Sequence, residues 1–295
     1  MLKPISNKDM KNLTSMKTGG ISKECYFPEN ESELVEIIKS LKKDNKKYIV
    51  LGNMSNVILP DGEINIPLVV TTDMKMSQMT QENLVYAEAG VSFTKLSLDM
   101  CKSGLSGLEF AYGIPGTVGG AVFMNAGAYG GETKDSIKSV RVLDSDGNVV
   151  TLSNEECKFS YRHSVFHEDT YTILGAEFLL AKADAEECVK NAKELMQRRV
   201  SKQPLEFPSC GSTFKRPEGY FAGALIEEAG LKGMCVGGAK VSEKHAGFVI
   251  NYDNATTDDV ICLMRKIKEI IKEKNGVTLE AEIKLLGNDG EFFVL

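Results

Sequence analysis

The chain has 295 residues, 42% of them hydrophobic and 26% charged, with a formal net charge of -6. That length allows a large core and two or three domains, and the composition is that of an ordinary globular protein. The acidic balance argues against nucleic-acid or membrane-surface binding through bulk charge, so any polyanionic ligand has to be held locally.

The start, MLKPISNKDMKNLTS, lacks an apolar leader, and no later run reaches the roughly 18 apolar residues of a membrane span. A cytoplasmic location is expected. Asn30-Glu31-Ser32-Glu33 resembles a capping box ahead of a helix bearing Leu34, Val35, Ile37, Ile38 and Leu41. Tyr48–Leu51 and Val57–Leu59 read as strands flanking a turn, Gly52-Asn53-Met54-Ser55-Asn56, whose backbone and small polar groups could hold phosphate. Leu84–Ala89 reads as a strand, and Ser92 caps a helix carrying Phe93, Leu96 and Met100.

Ala111–Gly130, AYGIPGTVGGAVFMNAGAYG, is the densest glycine segment. Its glycines bare the backbone, as an anion-binding loop requires, although the spacing is not that of a dinucleotide-binding turn. Val140–Leu152 reads as a hairpin with Asp146-Gly147 at its tip, and Tyr171–Leu180 as a strand. A helix starts at Asp184, buries Val189, Ala192, Leu195 and Met196, and ends near Val200 before Pro204. Ser201–Gly211 reads as a domain joint. A short helix (Phe221–Ala229), a strand (Gly247–Asn251), a long helix (Asp258–Lys274, stopped by Asn275-Gly276) and a last strand (Val277–Leu286) follow.

Several constellations bear chemistry. Seven widely spaced cysteines without a CxxC pair fit reduced thiols. His163 and His167, four apart, could offer two metal ligands on a helix, but no third is nearby. Arg162, in SYRHS, is either solvated or a fixed cation for a carboxylate. Ser212, in CGSTFKRP, is either a turn residue or a rigidly held hydroxyl, and His245 lies just before an apolar strand. In Thr278-Leu279-Glu280-Ala281-Glu282-Ile283-Lys284, residues two apart share a strand face, so either Glu280 or Glu282 could serve as an acid.

Taken in order, TGGISKECYFPE, GIPGTVGGAVFMNAGAYG, SYRHS, PSCGSTFKRP, EEAGLKG…GGAKVSEKHAGFVIN and LEAEIKLLG resemble the UDP-N-acetylenolpyruvoylglucosamine reductase family. The resemblance spans almost the whole chain from Thr18. It implies an α+β fold: a two-subdomain FAD-binding unit of the vanillyl-alcohol oxidase (PCMH-like) type plus an α+β substrate-binding domain. The expected limits are 1–72 for the first subdomain, joined by a C-terminal strand at 283–295, then 73–200 for the second and 201–282 for the substrate domain.

The family implies FAD, NADPH as hydride donor, and reduction of UDP-N-acetylglucosamine enolpyruvate to UDP-N-acetylmuramate in peptidoglycan precursor synthesis. No histidine lies in either glycine-rich segment, so the FAD is expected to be non-covalent. The matching FAD segments are Gly52, Asn53, Met54, Ser55 and Asn56, and Gly113, Ile114, Pro115, Gly116, Thr117, Gly119, Gly120 and Ala121. Carried over by motif, the catalytic residues are Arg162, Ser212 and Glu282, with Lys215 and Arg216 as candidates for the substrate diphosphate.

The family places no metal at His163 and His167. No nucleic acid or membrane is implied, and a monomer is expected. Two departures stand out: LGNMSN replaces a more glycine-rich LGGGSN, and Lys-Arg follows the serine where some members have Lys-Asn. The extra tyrosine loop of one branch has no counterpart, so the chain resembles the shorter branch. A flavin oxidase of the same fold and a non-catalytic binding protein are the alternatives.

Overall fold

A computed structural model describes residues 3–168 and 171–295. The chain forms two compact units. The first comprises residues 3–4, Tyr26–Asn53 and Leu68–Arg199, and the second Ile5–Cys25, Met54–Pro67 and Val200–Leu295.

The first unit is built on a five-stranded antiparallel sheet in the order Val149–Ser153, Ile137–Leu143, Thr172–Leu179, Leu84–Glu88, Ser77–Gln81. The expected hairpin forms its first pair, with Gly147 at φ 84° in the tip and the Asp144 carboxylate accepting from Asn148 N–H at 2.7 Å. Phe93, Phe110 and Phe178 are buried in the core beside this sheet, with Leu96, Val118 and Val122 from two helices. One helix is Phe93–Lys102, where the Ser92 hydroxyl accepts from Lys95 N–H as its composition predicts. The other, Val118–Phe123, lies inside the glycine-rich segment, which reads as a loop in sequence.

A smaller, three-stranded sheet contains the parallel strands Ile49–Leu51 and Leu68–Val70 and packs Val69 into the cluster that holds Leu34, Ile37, Ile38 and Leu41 of helix Glu31–Lys43. Asn30 caps that helix by accepting from Glu33 N–H, while the Glu33 carboxylate reaches one residue further back, to Glu29 N–H. The strands flanking the Gly52–Asn56 turn take different partners: Ile49–Leu51 pairs with Leu68–Val70, and Val57–Ile58 with Lys284–Leu286.

In the second unit, the antiparallel sheet Cys235–Val236, Ala239–Val241, Val249–Asn251 packs on helices Ala222–Glu228 and Thr257–Asn275. The long helix buries Val260, Ile261, Leu263, Met264, Ile267 and Ile271, starts with a full capping box between Thr256 and Asp259, and stops at Gly276 in the left-handed conformation. The last strand is shorter than its pattern suggests. Only Lys284–Leu286 is regular, paired in parallel with Val57–Ile58. Residues 277–283 form no regular strand and, among the described residues, make one isolated bridge, Ala281 to Phe214, because that stretch meets a loop and not a strand.

Candidate active site

Within the first unit, Gly52 and Asn53 meet the Gly113–Ala121 loop. A Cβ built on Gly52 falls far closer to Thr117 Oγ1 than real Cβ contacts allow, so only glycine lets the turn approach the loop. Asn53 Nδ2 donates to the Pro115 carbonyl at 2.8 Å and fastens the turn against the loop. Thr117 caps helix Val118–Phe123, its hydroxyl accepting from Gly120 N–H at 3.3 Å.

The loop's N–H groups are not all available for a ligand. Gly119 donates to Ala89 O at 2.8 Å and Gly116 to Ile114 O at 2.9 Å. In the turn the position differs: among the described residues, the N–H groups of Asn53, Met54 and Ser55 donate to no other group of the chain. Met54, where the family resemblance leads one to expect glycine, is buried and held at φ 48°. Its side chain therefore points into protein, away from any ligand of the turn amides.

Gly113 also permits a close approach. Its φ is 95°, and a Cβ there would lie 2.6 Å from Met196 Sδ and 3.0 Å from Arg199 Nε. The glycine makes room for Arg199, a residue the sequence reading passed over. Arg199 is only 7% exposed, and its Nε and Nη2 have no hydrogen-bond partner among the described residues. Its guanidinium lies 5.4 Å from the Tyr129 ring centroid. Burial pulls its proton affinity below the usual arginine range, partly countered by Tyr129. The signal was in the helix register: Arg199 follows Cys188 and Ala192 on the buried face of Ala185–Lys202.

Arg162 sits at the corner of a tight turn in which Ser160 and His163 exchange backbone hydrogen bonds of 3.0 and 3.2 Å. Its φ is 55°, a conformation normally left to glycine or asparagine. Arg162 Nη2 donates to Gly127 O at 3.1 Å, and the guanidinium lies 5.0 Å from the Tyr161 ring centroid. Asn125 Nδ2 donates to Ser160 O, and Ser164 Oγ to Phe123 O, tying the turn to the end of helix Val118–Phe123. The neighbouring rings of His163 and His167 lie 4.8 Å apart, tilted by 31°. Among the described residues, no group of three or more His, Cys, Asp or Glu could hold a metal ion.

In the second unit, chain pairing brings the segments of Ser212 and Glu282 side by side. Glu282 N–H donates to Thr213 O at 2.9 Å, and Lys215 N–H to Glu280 O at 2.9 Å. Thr213 is buried, its N–H donating to Gly247 O and its hydroxyl accepting from Val249 N–H, so the adjacent Ser212 is exposed on a fixed backbone. Asn56 Nδ2 donates to the Glu282 carbonyl at 3.1 Å, so the last residue of the turn also positions the candidate acid.

The two glutamates separate here. Glu280 is exposed and pairs with Lys215 Nζ at 3.3 Å, whereas Glu282 is half-buried. Arg216 lies 4.1 Å over the ring of Phe221, itself 61% exposed. His245 Nδ1 accepts from Gly247 N–H at 3.1 Å, and burial holds its pKa below the usual value. All seven cysteines are free, and burial pushes the thiols of Cys25, Cys101, Cys157 and Cys210 up to about 12. Among the described residues, no helix is long and apolar enough to cross a membrane.

The unused turn amides and the two unpartnered nitrogens of Arg199 are each donors of the kind that a nucleotide cofactor with anionic oxygens accepts from. Residues 24–153 match the FAD binding domain family, and residues 203–286 match the C-terminal domain of UDP-N-acetylenolpyruvoylglucosamine reductase. The protein is an FAD-containing oxidoreductase.

The chain is 46% identical over 281 residues to the UDP-N-acetylenolpyruvoylglucosamine reductase of Caldanaerobacter subterraneus, covering 95% of this chain and 93% of that one. It is 43% identical over 283 residues to the Enterococcus faecalis reductase, covering 96% and 94%. The crystal structure of the Thermus caldophilus reductase superposes with a TM-score of 0.81 at 31% identity, over 97% of this chain and 98% of that one. The chain belongs to the UDP-N-acetylenolpyruvoylglucosamine reductase family.

Proposed function

We propose that the protein reduces UDP-N-acetylglucosamine enolpyruvate to UDP-N-acetylmuramate in peptidoglycan precursor synthesis, with NADPH as hydride donor. It would act in the cytoplasm as a monomer holding FAD non-covalently. When bound, FAD supplies the two-electron hydride chemistry between the nicotinamide and the enolpyruvyl double bond. The turn Gly52–Asn56 and the loop Gly113–Ala121 hold it, through the amides of Asn53, Met54 and Ser55 in particular.

The remaining chemistry falls to this chain's side chains. Once the substrate's methylene carbon has gained hydride, negative charge builds on the neighbouring carbon and its carboxylate. Arg162, permanently charged and fixed by Gly127 O, offsets that charge. Glu282, on the segment paired with that of Ser212, is assigned to the same group. Each such preorganised group contributes about 3–4 kcal/mol to the transition state. Ser212 delivers the proton that completes the reduction, a task a hydroxyl manages because the carbanionic carbon is strongly basic.

Lys215 and Arg216 are assigned to the substrate diphosphate. Residues 1–72 and 73–200 are assigned to the FAD-binding subdomains and 201–282 to the substrate domain. The parallel pairing of Lys284–Leu286 with Val57–Ile58 supports a C-terminal strand returning to the first of them.

The observation that carries the mechanism is the pairing of the Ser212 and Glu282 segments through Thr213 O and Glu282 N–H, with Asn56 on the Glu282 carbonyl. The test is an anaerobic visible spectrum of the purified protein. Bleaching of the oxidised-flavin band by NADPH, reversed by the enolpyruvyl substrate, is expected. Reversal by oxygen but not by that substrate would mean a flavin oxidase instead.

A further inference from the structure

Arg199 poses a problem the assigned roles do not answer. A guanidinium removed from water needs acceptors for its donors, and an uncompensated buried charge is costly. Here the side chain is more than nine-tenths buried, and Nε and Nη2 lack acceptors among the described residues. The fold nonetheless makes room for it. Gly113 gives up a side chain, at a left-handed φ, where any Cβ would crowd Arg199 and Met196. Tyr129 takes a positive φ of 54° and presents its ring 5.4 Å from the guanidinium.

We propose that Arg199 is the counter-ion of the FAD in this chain, receiving an anionic oxygen of the cofactor beside Gly113. Two parts of FAD offer that chemistry: the diphosphate, charged in both redox states, and the pyrimidine edge of the isoalloxazine ring, which carries charge when reduced. A charge-assisted, forked hydrogen bond to either satisfies the orphaned nitrogens. The inference rests on the reading that the glycine loop binds FAD.

The test uses Arg199→Met, close to arginine in its stem, and Arg199→Gln, which keeps a donor without the charge. Three quantities are measured: thermal stability of the FAD-stripped protein, the FAD dissociation constant, and the midpoint potential of the holoenzyme. The stripped Arg199→Met protein is expected to be at least as stable as wild type, since the buried unpaired cation is gone.

In both variants, FAD binding should weaken at least tenfold with the potential unchanged if the diphosphate is the partner. If the ring edge is the partner, the preference for reduced over oxidised flavin should fall about tenfold, some 30 mV lower for this two-electron couple. Stripped variants that lose stability while FAD affinity and potential stay within twofold of wild type would make Arg199 a structural cation and overturn the proposal. If Arg199→Met does not fold, Arg199→Gln decides on the same readouts. A wild-type chain that takes up no FAD overturns the cofactor reading and this inference together, whereas wild-type uptake with unaltered variants overturns the role of Arg199 alone.

Discussion

Gly52→Ala is a small change with a calculable cost. The new Cβ would overlap Thr117 Oγ1 and sit 3.5 Å from that residue's Cβ and Cγ2, an ordinary distance. The conflict is thus with one atom, the oxygen that caps helix Val118–Phe123. Either Thr117 rotates and the cap is lost, at about 1 kcal/mol, or the turn backs away and strains the loop, at about 1–3 kcal/mol for an overpacked contact. Backing away also breaks the bond from Asn53 Nδ2 to Pro115 O, so FAD affinity should fall with stability. Urea denaturation of the stripped protein and flavin-fluorescence titration measure the two effects.

The decisive arm is a double-mutant cycle with Thr117→Ala, which removes the oxygen. In that background Gly52→Ala should cost under about 0.5 kcal/mol, giving a coupling of about 0.5–1 kcal/mol if Thr117 rotates and up to about 3 kcal/mol if the turn backs away. Equal damage in both backgrounds would refute the close-approach argument.

Ser212→Ala should keep FAD and its reduction by NADPH but slow reoxidation by the enolpyruvyl substrate by about 10²–10⁴-fold, as stopped-flow absorbance would show; normal reoxidation would remove the serine from the mechanism. Glu282→Gln should lower turnover by about 10²-fold or more, whereas Glu280→Gln breaks only an exposed pair with Lys215 and should change stability by less than about 1 kcal/mol. Equal loss of turnover in both variants would undo that distinction. His245 is held below its usual pKa of 6.5 by burial, so protonation favours the unfolded chain, where the ring is solvated. The stability from its neutral form is fully present above pH 6.5 and is lost as pH falls through the lower folded value. Melting curves from pH 7.5 to 5 should show the slope in wild type and a flatter profile in His245→Asn, and identical slopes would contradict the assignment.

Elements specified by local pattern were legible in the sequence, while those defined by partners were not. The long C-terminal helix could be read almost to the residue because its apolar spacing, acidic first turn and terminal glycine agree. The strand expected at Val277–Leu286 had the same quality of alternation yet is regular only from Lys284, since strand character needs a neighbour and residues 277–283 meet the Phe214 loop. Glycine density marked the two segments but not what individual glycines do there. Gly119 spends its N–H on Ala89 O, and Gly113 exists for Arg199. A tertiary contact of that kind has no trace in the spacing. Arg199 itself was findable only by asking why a charge falls in register with Cys188 and Ala192.

Conformational cost marks the same places from a different direction. Among the described residues, nine non-glycines take a positive φ; four are asparagines, which tolerate it, and two are lysines. The other three are Met54, Tyr129 and Arg162, each at a cost of about 1–2 kcal/mol that an asparagine or glycine would largely avoid. Each is tied to a proposed role. Met54 turns its side chain into protein, away from any ligand of the turn amides; Tyr129 faces the guanidinium of Arg199, and Arg162 is the cation assigned to the substrate carboxylate. Replacing each with glycine separates strain from role. Where the conformation is incidental, glycine relieves it and stability rises or holds, and where the side chain is the reason for the strain, FAD affinity or turnover falls even though the backbone is more comfortable.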